Sequence, residues 1–299
     1  MNAGALSAPR SALSAWVLAT RPKTLVAGVV PVAVGSALAL RDGAFVAWVA
    51  VAALVGALLI QVGTNLVNDY YDHLRGADTA ERLGPPRATQ QGWLAPRTVL
   101  TGAVVCFAAA MLVGVSLVVA GGLPLLAVGL LSIAAGYAYT GGPWPLGYHG
   151  LGDVFVLVFF GLVAVGGTYF AQAHQLTLPV LIAGLAVGSL GVALLAVNNV
   201  RDERTDAAAG KRTLVVRFGA RFGKAEYVAT LALAALVPVG LWLSGRSGWV
   251  LLPLAAAPLA VPPLRVLFTQ SGAALNAALA GTARLQLVYG VLFAVGLAR

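Results

Sequence analysis

The chain has 299 residues, 60% of them hydrophobic and 10% charged, with a formal net charge of +9. A water-soluble domain carries about 25% charged residues, so this composition excludes a surface wetted all round. The positive balance reads as membrane orientation and an anionic substrate rather than nucleic-acid binding. The single cysteine, Cys106, lies in an apolar run and can form no internal disulfide, which leaves it as a small core residue.

Apolar stretches close to the ~20 residues that carry an α-helix across ~30 Å of hydrocarbon recur at 22–40, 44–70, 98–120, 123–141, 152–172, 177–200, 225–244, 249–267 and 284–298. Lipid offers the backbone no hydrogen-bond partners, so each stretch is expected to be helical. The expected fold is all-α: an integral membrane protein of about nine transmembrane helices in one bundle, a single domain over 1–299. Residues 1–20 carry Arg10 and a short mixed run without a small-residue cleavage site, which predicts that the first span stays as an anchor. Gly184 and Gly188 mark a point of close helix contact.

The connectors alternate. Arg41-Asp42-Gly43, Gly121-Gly122, Gln172 to Leu176 and Ser244 to Gly248 are short, whereas the other set includes the long polar segments 71–97 and 201–224. Of the 19 Lys and Arg, only Arg41, Arg246 and Arg299 fall on the side of the short set. Cytoplasmic connectors carry the excess of Lys and Arg, so the N-terminus is expected in the cytoplasm and the C-terminus outside.

Acidic residues number 10, and seven of them fall in two windows at the cytoplasmic ends of the second and sixth spans: Asp69, Asp72, Asp78 and Glu81, then Asp202, Glu203 and Asp206. Asn68 and Asp72 stand four apart, as do Asn198, Asp202 and Asp206, and residues four apart share a helix face. Each helix end therefore directs amide and carboxylate oxygens one way. Grouped carboxylates near lipid are costly without a cation. Lys and Arg are plentiful nearby, and Mg²⁺ prefers such hard oxygens together with water and substrate phosphate. His73, His149 and His174 lack the spacing of zinc ligands. One cluster alone would read as a solvated helix end; two alike suit a magnesium-bound diphosphate.

Several longer matches point the same way. They are Arg21-Pro-Lys-Thr24, Asn68-Asp-Tyr-Tyr-Asp72 with Gly76-Ala-Asp-Thr79, and Arg82-Leu-Gly-Pro85. Tyr139-Thr-Gly-Gly-Pro143 with Gly150-Leu-Gly-Asp153, and Asn198-Asn-Val-Arg-Asp202 running into Gly210-Lys-Arg-Thr-Leu-Val-Val-Arg217, complete the set. Over nearly the whole chain these resemble the UbiA superfamily of membrane prenyltransferases, and within it the MenA-like branch, which prenylates 1,4-dihydroxy-2-naphthoate in menaquinone synthesis. The general first motif, Asn-x-x-x-Asp-x-x-x-Asp, has Gly76 in its third place here and Asp78 two residues later, a variant shown by that branch. Asp153 stands where the branch usually has Glu.

The resemblance implies Mg²⁺ as cofactor, held by the catalytic Asp72 and Asp202, then Asp206, Asp78 and Asp69, with Asn68 and Asn198 contributing. It implies that Arg21, Lys23, Lys211 and Arg212, with both asparagines, grip the diphosphate. Tyr139, ahead of Tyr70, Tyr71 and Tyr137, would face the allylic cation, and Asp153 would orient or deprotonate the acceptor. The implied partners are polyprenyl diphosphate, 1,4-dihydroxy-2-naphthoate and membrane lipid, giving demethylmenaquinone, CO₂ and diphosphate. The implied place is a bacterial-type plasma membrane with the site on its cytoplasmic side. Two other readings stand beside this one: a relative with another aromatic acceptor such as 4-hydroxybenzoate, and an ion-coupled transporter, whose site would lie nearer the bilayer midplane.

Overall fold

The structure, a computed structural model, describes residues 11–79 and 81–299; Arg10, counted among the cytoplasmic charges, and the start of the expected domain lie outside them. Ser11 and Ser14 cap each other's backbone N–H groups to open α1 (Ala12–Ala19). The chain turns through Pro22–Thr24 and bends by 52° into α2 (Val26–Arg41). Then follow α3 (Ala47–Leu74), α4 (Pro96–Gly121), α5 (Leu123–Ala138) and α6 (Gly152–Val156). A π-helical stretch, Leu157–Val163, joins α6 to α7 (Ala164–Ala173). The rest comprises α8 (Leu178–Ala208), α9 (Leu214–Phe218), α10 (Ala220–Leu243), a 3₁₀ stretch Gly248–Ala260, α11 (Val261–Thr269) and α12 (Leu275–Leu297). Pro253 and Pro258 lie inside that 3₁₀ stretch and cannot donate a backbone N–H to an α-helical ladder. No strand occurs among the described residues.

Among the described residues seven helical rods are long and apolar enough to cross a membrane, and the bent pair of α1 and α2, taken as one span, makes an eighth. α5 has 16 residues and so rises about 24 Å. The expected ninth crossing therefore rests on a helix shorter than ~30 Å of hydrocarbon. Two boundaries differ from expectation. α8 runs on to Ala208, so Asp202 and Asp206 ride on the helix itself. α12 begins at Leu275 rather than 284, because Asn276 and Thr282, polar in sequence, are satisfied by Arg201 and Tyr227.

α8 is the central post: 72% of its apolar window is buried, against 17% for α4. Its Val180, Ala183 and Val187 pack with Val34 of α2 and Tyr289 and Phe293 of α12 in the largest core cluster. The expected close contact at Gly184 and Gly188 is made within the chain, to the π-helical stretch. A Cβ on Gly161 would stand 2.5 Å from the Gly184 carbonyl oxygen and 2.9 Å from the Gly188 Cα. Backbone on both sides cannot yield. Gly161→Val is expected to cost about 1–3 kcal/mol and to lower the melting temperature in detergent by several degrees. Gly114→Ala, where an added Cβ meets nothing within 4 Å, should leave it unchanged or slightly raised.

Candidate active site

The two acid-bearing helices stop in the same way. α3 ends at Gly76 (φ 66°), whose N–H donates to the His73 carbonyl (3.1 Å) while Ala77 N–H donates to the Asp72 carbonyl (2.9 Å). α8 ends at Gly210 (φ 74°), with Gly210 N–H on the Ala207 carbonyl (3.1 Å) and Lys211 N–H on the Asp206 carbonyl (2.9 Å). Both are Schellman closures, which need a left-handed residue that glycine adopts at no steric cost. They place Asp72 and Asp206 at matching positions of the last turn. The helix ends thus equate Asp72 with Asp206 and Asn68 with Asp202, one turn away from the pairing read in the sequence. Gly76 is a helix terminator, equivalent to Gly210, rather than a lost carboxylate.

A helix C-terminus carries partial negative charge and favours cations, so two such ends with their carboxylates form a strongly negative pole. The chain's own cations neutralise it. Lys211, turned back by Gly210, sets its ammonium 3.4 Å from Asp72 Oδ1 and 3.3 Å from Asp206 Oδ1. Arg87 Nη2 donates to Asp72 Oδ2 at 3.0 Å, and the Tyr148 hydroxyl donates to Asp72 Oδ1 at 2.8 Å. Arg201 holds both oxygens of Asp202 through Nε (2.8 Å) and Nη2 (2.6 Å), and reaches Asn276 Oδ1 at 2.7 Å. Asp78 pairs with Arg82 and, at 3.3 Å, with Arg87 Nε. Burial pushes the Asp78 carboxyl up to about 6 against the pull of Arg82. Burial alone would lower Lys211, but Asp72 and Asp206 outweigh it and hold the ammonium above its ordinary range. Burial, reinforced by Asp72, raises Tyr148 and keeps its phenol a donor.

Asp72, Asp202, Asp206, Asn68, Asn198, Tyr139, Arg21 and Lys211 all line one cavity of about 690 Å³. These side chains make its polar end, and Ile60, Val128, Phe159 and Phe160 belong to its apolar wall. Of the residues expected to hold metal or diphosphate or to act on the acceptor, five are not brought to it, nor are Tyr70, Tyr71 and Tyr137. Asp69 is buried and spends its carboxylate on the Ala88 N–H (3.0 Å), the Thr89 N–H (3.3 Å) and the Thr89 hydroxyl, which pins the 78–95 loop to α3. Asp78 faces its two arginines. Lys23 is exposed on the turn before α2. Arg212 serves through its backbone, donating to the Tyr148 carbonyl at 2.8 Å and accepting from Arg217 Nε at 3.0 Å. Asp153 is buried off the cavity, with one carboxylate oxygen unpartnered.

The sequence assigns no site role to Arg82, Arg87, Arg201 or Tyr148, although Arg82 and Arg201 lie in the matching motifs; all four line the cavity. The stiff turn Gly84-Pro85-Pro86 is a signal that singles out Arg87. No local signal marks Tyr148, whose bond to Asp72 joins residues 76 apart.

Among the described residues no group of three or more His, Cys, Asp or Glu side chains converges on one point. The cavity instead offers scattered hard oxygens at two negative helix ends. That donor set fits Mg²⁺, which is commonly bound by one or two carboxylates and completed by water and substrate phosphate.

Residues 28–295 match the UbiA prenyltransferase family. The chain is 38% identical over 296 residues to the 1,4-dihydroxy-2-naphthoate octaprenyltransferase of Escherichia coli (strain K12), covering 96% of each. It is 40% identical over 246 residues to the protein of the same name from Mycobacterium tuberculosis, covering 82% of this chain and 83% of that one. Among solved structures, a UbiA homolog from Archaeoglobus fulgidus bound to DMAPP and Mg²⁺ superposes with a TM-score of 0.65 at 15% identity, over 94% of this chain and 99% of that one.

Asp69→Ala should act on the loop rather than on a metal. Without the carboxylate that holds Ala88 and Thr89 to α3, the loop is expected to open more often. Trypsin should then cut at Arg82 or Arg87 about tenfold faster or more than in the parent, while Glu203→Ala leaves the digestion pattern unchanged.

Proposed function

The chain belongs to the UbiA prenyltransferase family, and on that premise we propose that it transfers a polyprenyl group from polyprenyl diphosphate to 1,4-dihydroxy-2-naphthoate. The observation that carries this reading is the Lys211 bridge between Asp72 and Asp206 at the polar end of a cavity whose remaining wall is apolar. A multiply charged leaving group and a hydrocarbon tail need those two environments side by side.

Arg21 and Lys211, joined by Arg82 and Arg87, hold the diphosphate. Arg87 supports this role, because its Nη1 is buried without a hydrogen-bond partner, and guanidinium groups suit phosphate contact. Asp72, Asp202 and Asp206, with Asn68 and Asn198, would hold Mg²⁺, which when bound offsets the charge that builds on the departing diphosphate. The prenyl C–O bond breaks with its electron pair leaving on the diphosphate. Tyr139, whose ring centroid lies 5.7 Å from that of Phe155, offers the resulting allylic cation an aromatic face. The enclosing helices keep water from it. The ring carbon that bears the carboxylate bonds to the prenyl carbon. The bond to CO₂ then returns its pair to the ring, so the product is the quinol of demethylmenaquinone and no side chain need accept a proton. Asp153, off the cavity, has no part in these steps.

The distribution of Lys and Arg supports a plasma-membrane orientation with the N-terminus and the site on the cytoplasmic side and the C-terminus outside.

Membranes holding the wild-type chain, given 1,4-dihydroxy-2-naphthoate, a long polyprenyl diphosphate and Mg²⁺, should form prenylated naphthoquinol. Chelation should abolish it, and Asp72→Ala and Asp202→Ala should each lower the rate about 100-fold or more. Product with 4-hydroxybenzoate alone would keep the ionisation of the prenyl diphosphate and overturn both the acceptor and the loss of CO₂. No transfer to any aromatic ring from folded protein would overturn the proposal. Lys211→Met is expected to raise the KM for the prenyl diphosphate and lower kcat together, since Lys211 touches the acids and is proposed to hold the leaving group.

A further inference from the structure

Ionisation and metal binding use the polar end of the cavity and leave Gln61 without a role. Gln61 lies on α3, four, seven and eleven residues before Asn65, Asn68 and Asp72, so all four share one helix face. It lines the cavity, is only 7% exposed, and its amide oxygen is enclosed without a hydrogen-bond partner. Asn65, one turn away, uses both its N–H groups: its amide donates to the Thr20 carbonyl and to Thr24 Oγ1, both at 3.0 Å. A buried polar atom left unpaired is costly, and buried groups of this kind are ordinarily satisfied. The partner of Gln61 should therefore come with the cavity's contents.

We infer that Gln61 is a recognition post for the aromatic acceptor, its amide oxygen taking the O–H of a ring hydroxyl; this rests on the prenyl-transfer reading. The chemistry of the two substrates discriminates between them. A prenyl chain has no polar group, and ionised diphosphate oxygens only accept hydrogen bonds. A dihydroxylated ring is the one component with O–H donors for an acceptor oxygen. The depth agrees. Seven residues of α-helix set Gln61 about 10 Å along the axis from Asn68, on the apolar side of the diphosphate site. The two hydroxyls and the carbon that bears the carboxylate share one ring, so a ring lying between them can meet the ionising carbon at that carbon and turn a hydroxyl toward the Gln61 side chain.

The test is a pair of measurements on the purified full chain in detergent. Initial rates are taken for wild type and for Gln61→Leu and Gln61→Met, which keep the bulk and lose the amide, with acceptor varied at saturating polyprenyl diphosphate and Mg²⁺. The acceptor KM is expected to rise about tenfold, as for one lost buried hydrogen bond, while the KM for the prenyl diphosphate stays unchanged. In parallel, the two mono-methyl ethers of 1,4-dihydroxy-2-naphthoate are compared as competitive inhibitors. Wild type should bind one ether about tenfold more weakly than the other, and Gln61→Leu should bind both alike. An unchanged acceptor KM in folded variants, an equal rise in both KM values, or wild type that treats the two ethers alike would each overturn the inference. Equal binding of the two ethers by wild type overturns the inference even if neither variant folds. If wild type transfers prenyl to no hydroxylated ring, the reading beneath the inference fails, and the inference with it.

Discussion

At the C-terminal ends of α3 and α8 two carboxylates, Asp72 and Asp206, are brought to one ammonium group, that of Lys211. Both helix C-termini are negative poles, so the acids and the helix ends repel one another unless a cation lies between them. Burying charges costs several kcal/mol per ion unless they are paired and hydrogen-bonded. Arg87 and Tyr148 complete that pairing around Asp72, and Arg201 does so around Asp202. The same oxygens that bind the chain's own cations are the ones proposed to bind metal. The same cations are the ones proposed to bind diphosphate. Substrate and metal entering together can exchange these partners without leaving any charge unpaired.

Such an exchange needs helix ends that do not drift. α8 supplies the reference because it is buried along most of its apolar length. Gly184 and Gly188 bring the π-helical stretch into backbone contact with it, so small residues, rather than any hydrophobic drive between helices in lipid, set the spacing. That stretch carries Phe159, stacked on Phe155 of α6 with ring centroids 4.4 Å apart, and both rings line the cavity. Close packing and the aromatic wall are thus two consequences of one helix pairing.

The polar loop after α3 covers the acids and is held from two sides. Asp69 takes the backbone of Ala88 and Thr89. Asn276, from the first turn of α12, donates to the Leu83 carbonyl at 2.8 Å while accepting from Arg201. A residue near the end of the sequence therefore joins the loop of the first acidic window to the second. Gly84 fits beneath the Arg201 guanidinium, where a Cβ would come within 2.9 Å of Nη2.

Much of this was legible in the sequence, and for definable reasons. Hydrocarbon thickness fixes the length of an apolar helix, so most spans follow from composition alone. The rarity of acids made their two clusters stand out, and four-residue spacing placed Asn68, Asp72, Asn198, Asp202 and Asp206 on the inward faces that now line the cavity. Which acids do something else was not legible. Asp69 and Asp72 differ by three positions on one helix, yet one holds a loop and the other faces Lys211 and Arg87. That choice depends on partners 15 to about 140 residues away, and helical spacing cannot encode them. The start of α12 was missed because Asn276 and Thr282 lose their polar cost only when Arg201 and Tyr227 reach them. Sequence alone determined the number of oxygens and charges near each helix end. Tertiary structure decided which of them meet, because a buried charge takes the partner that the packing of other helices delivers to it.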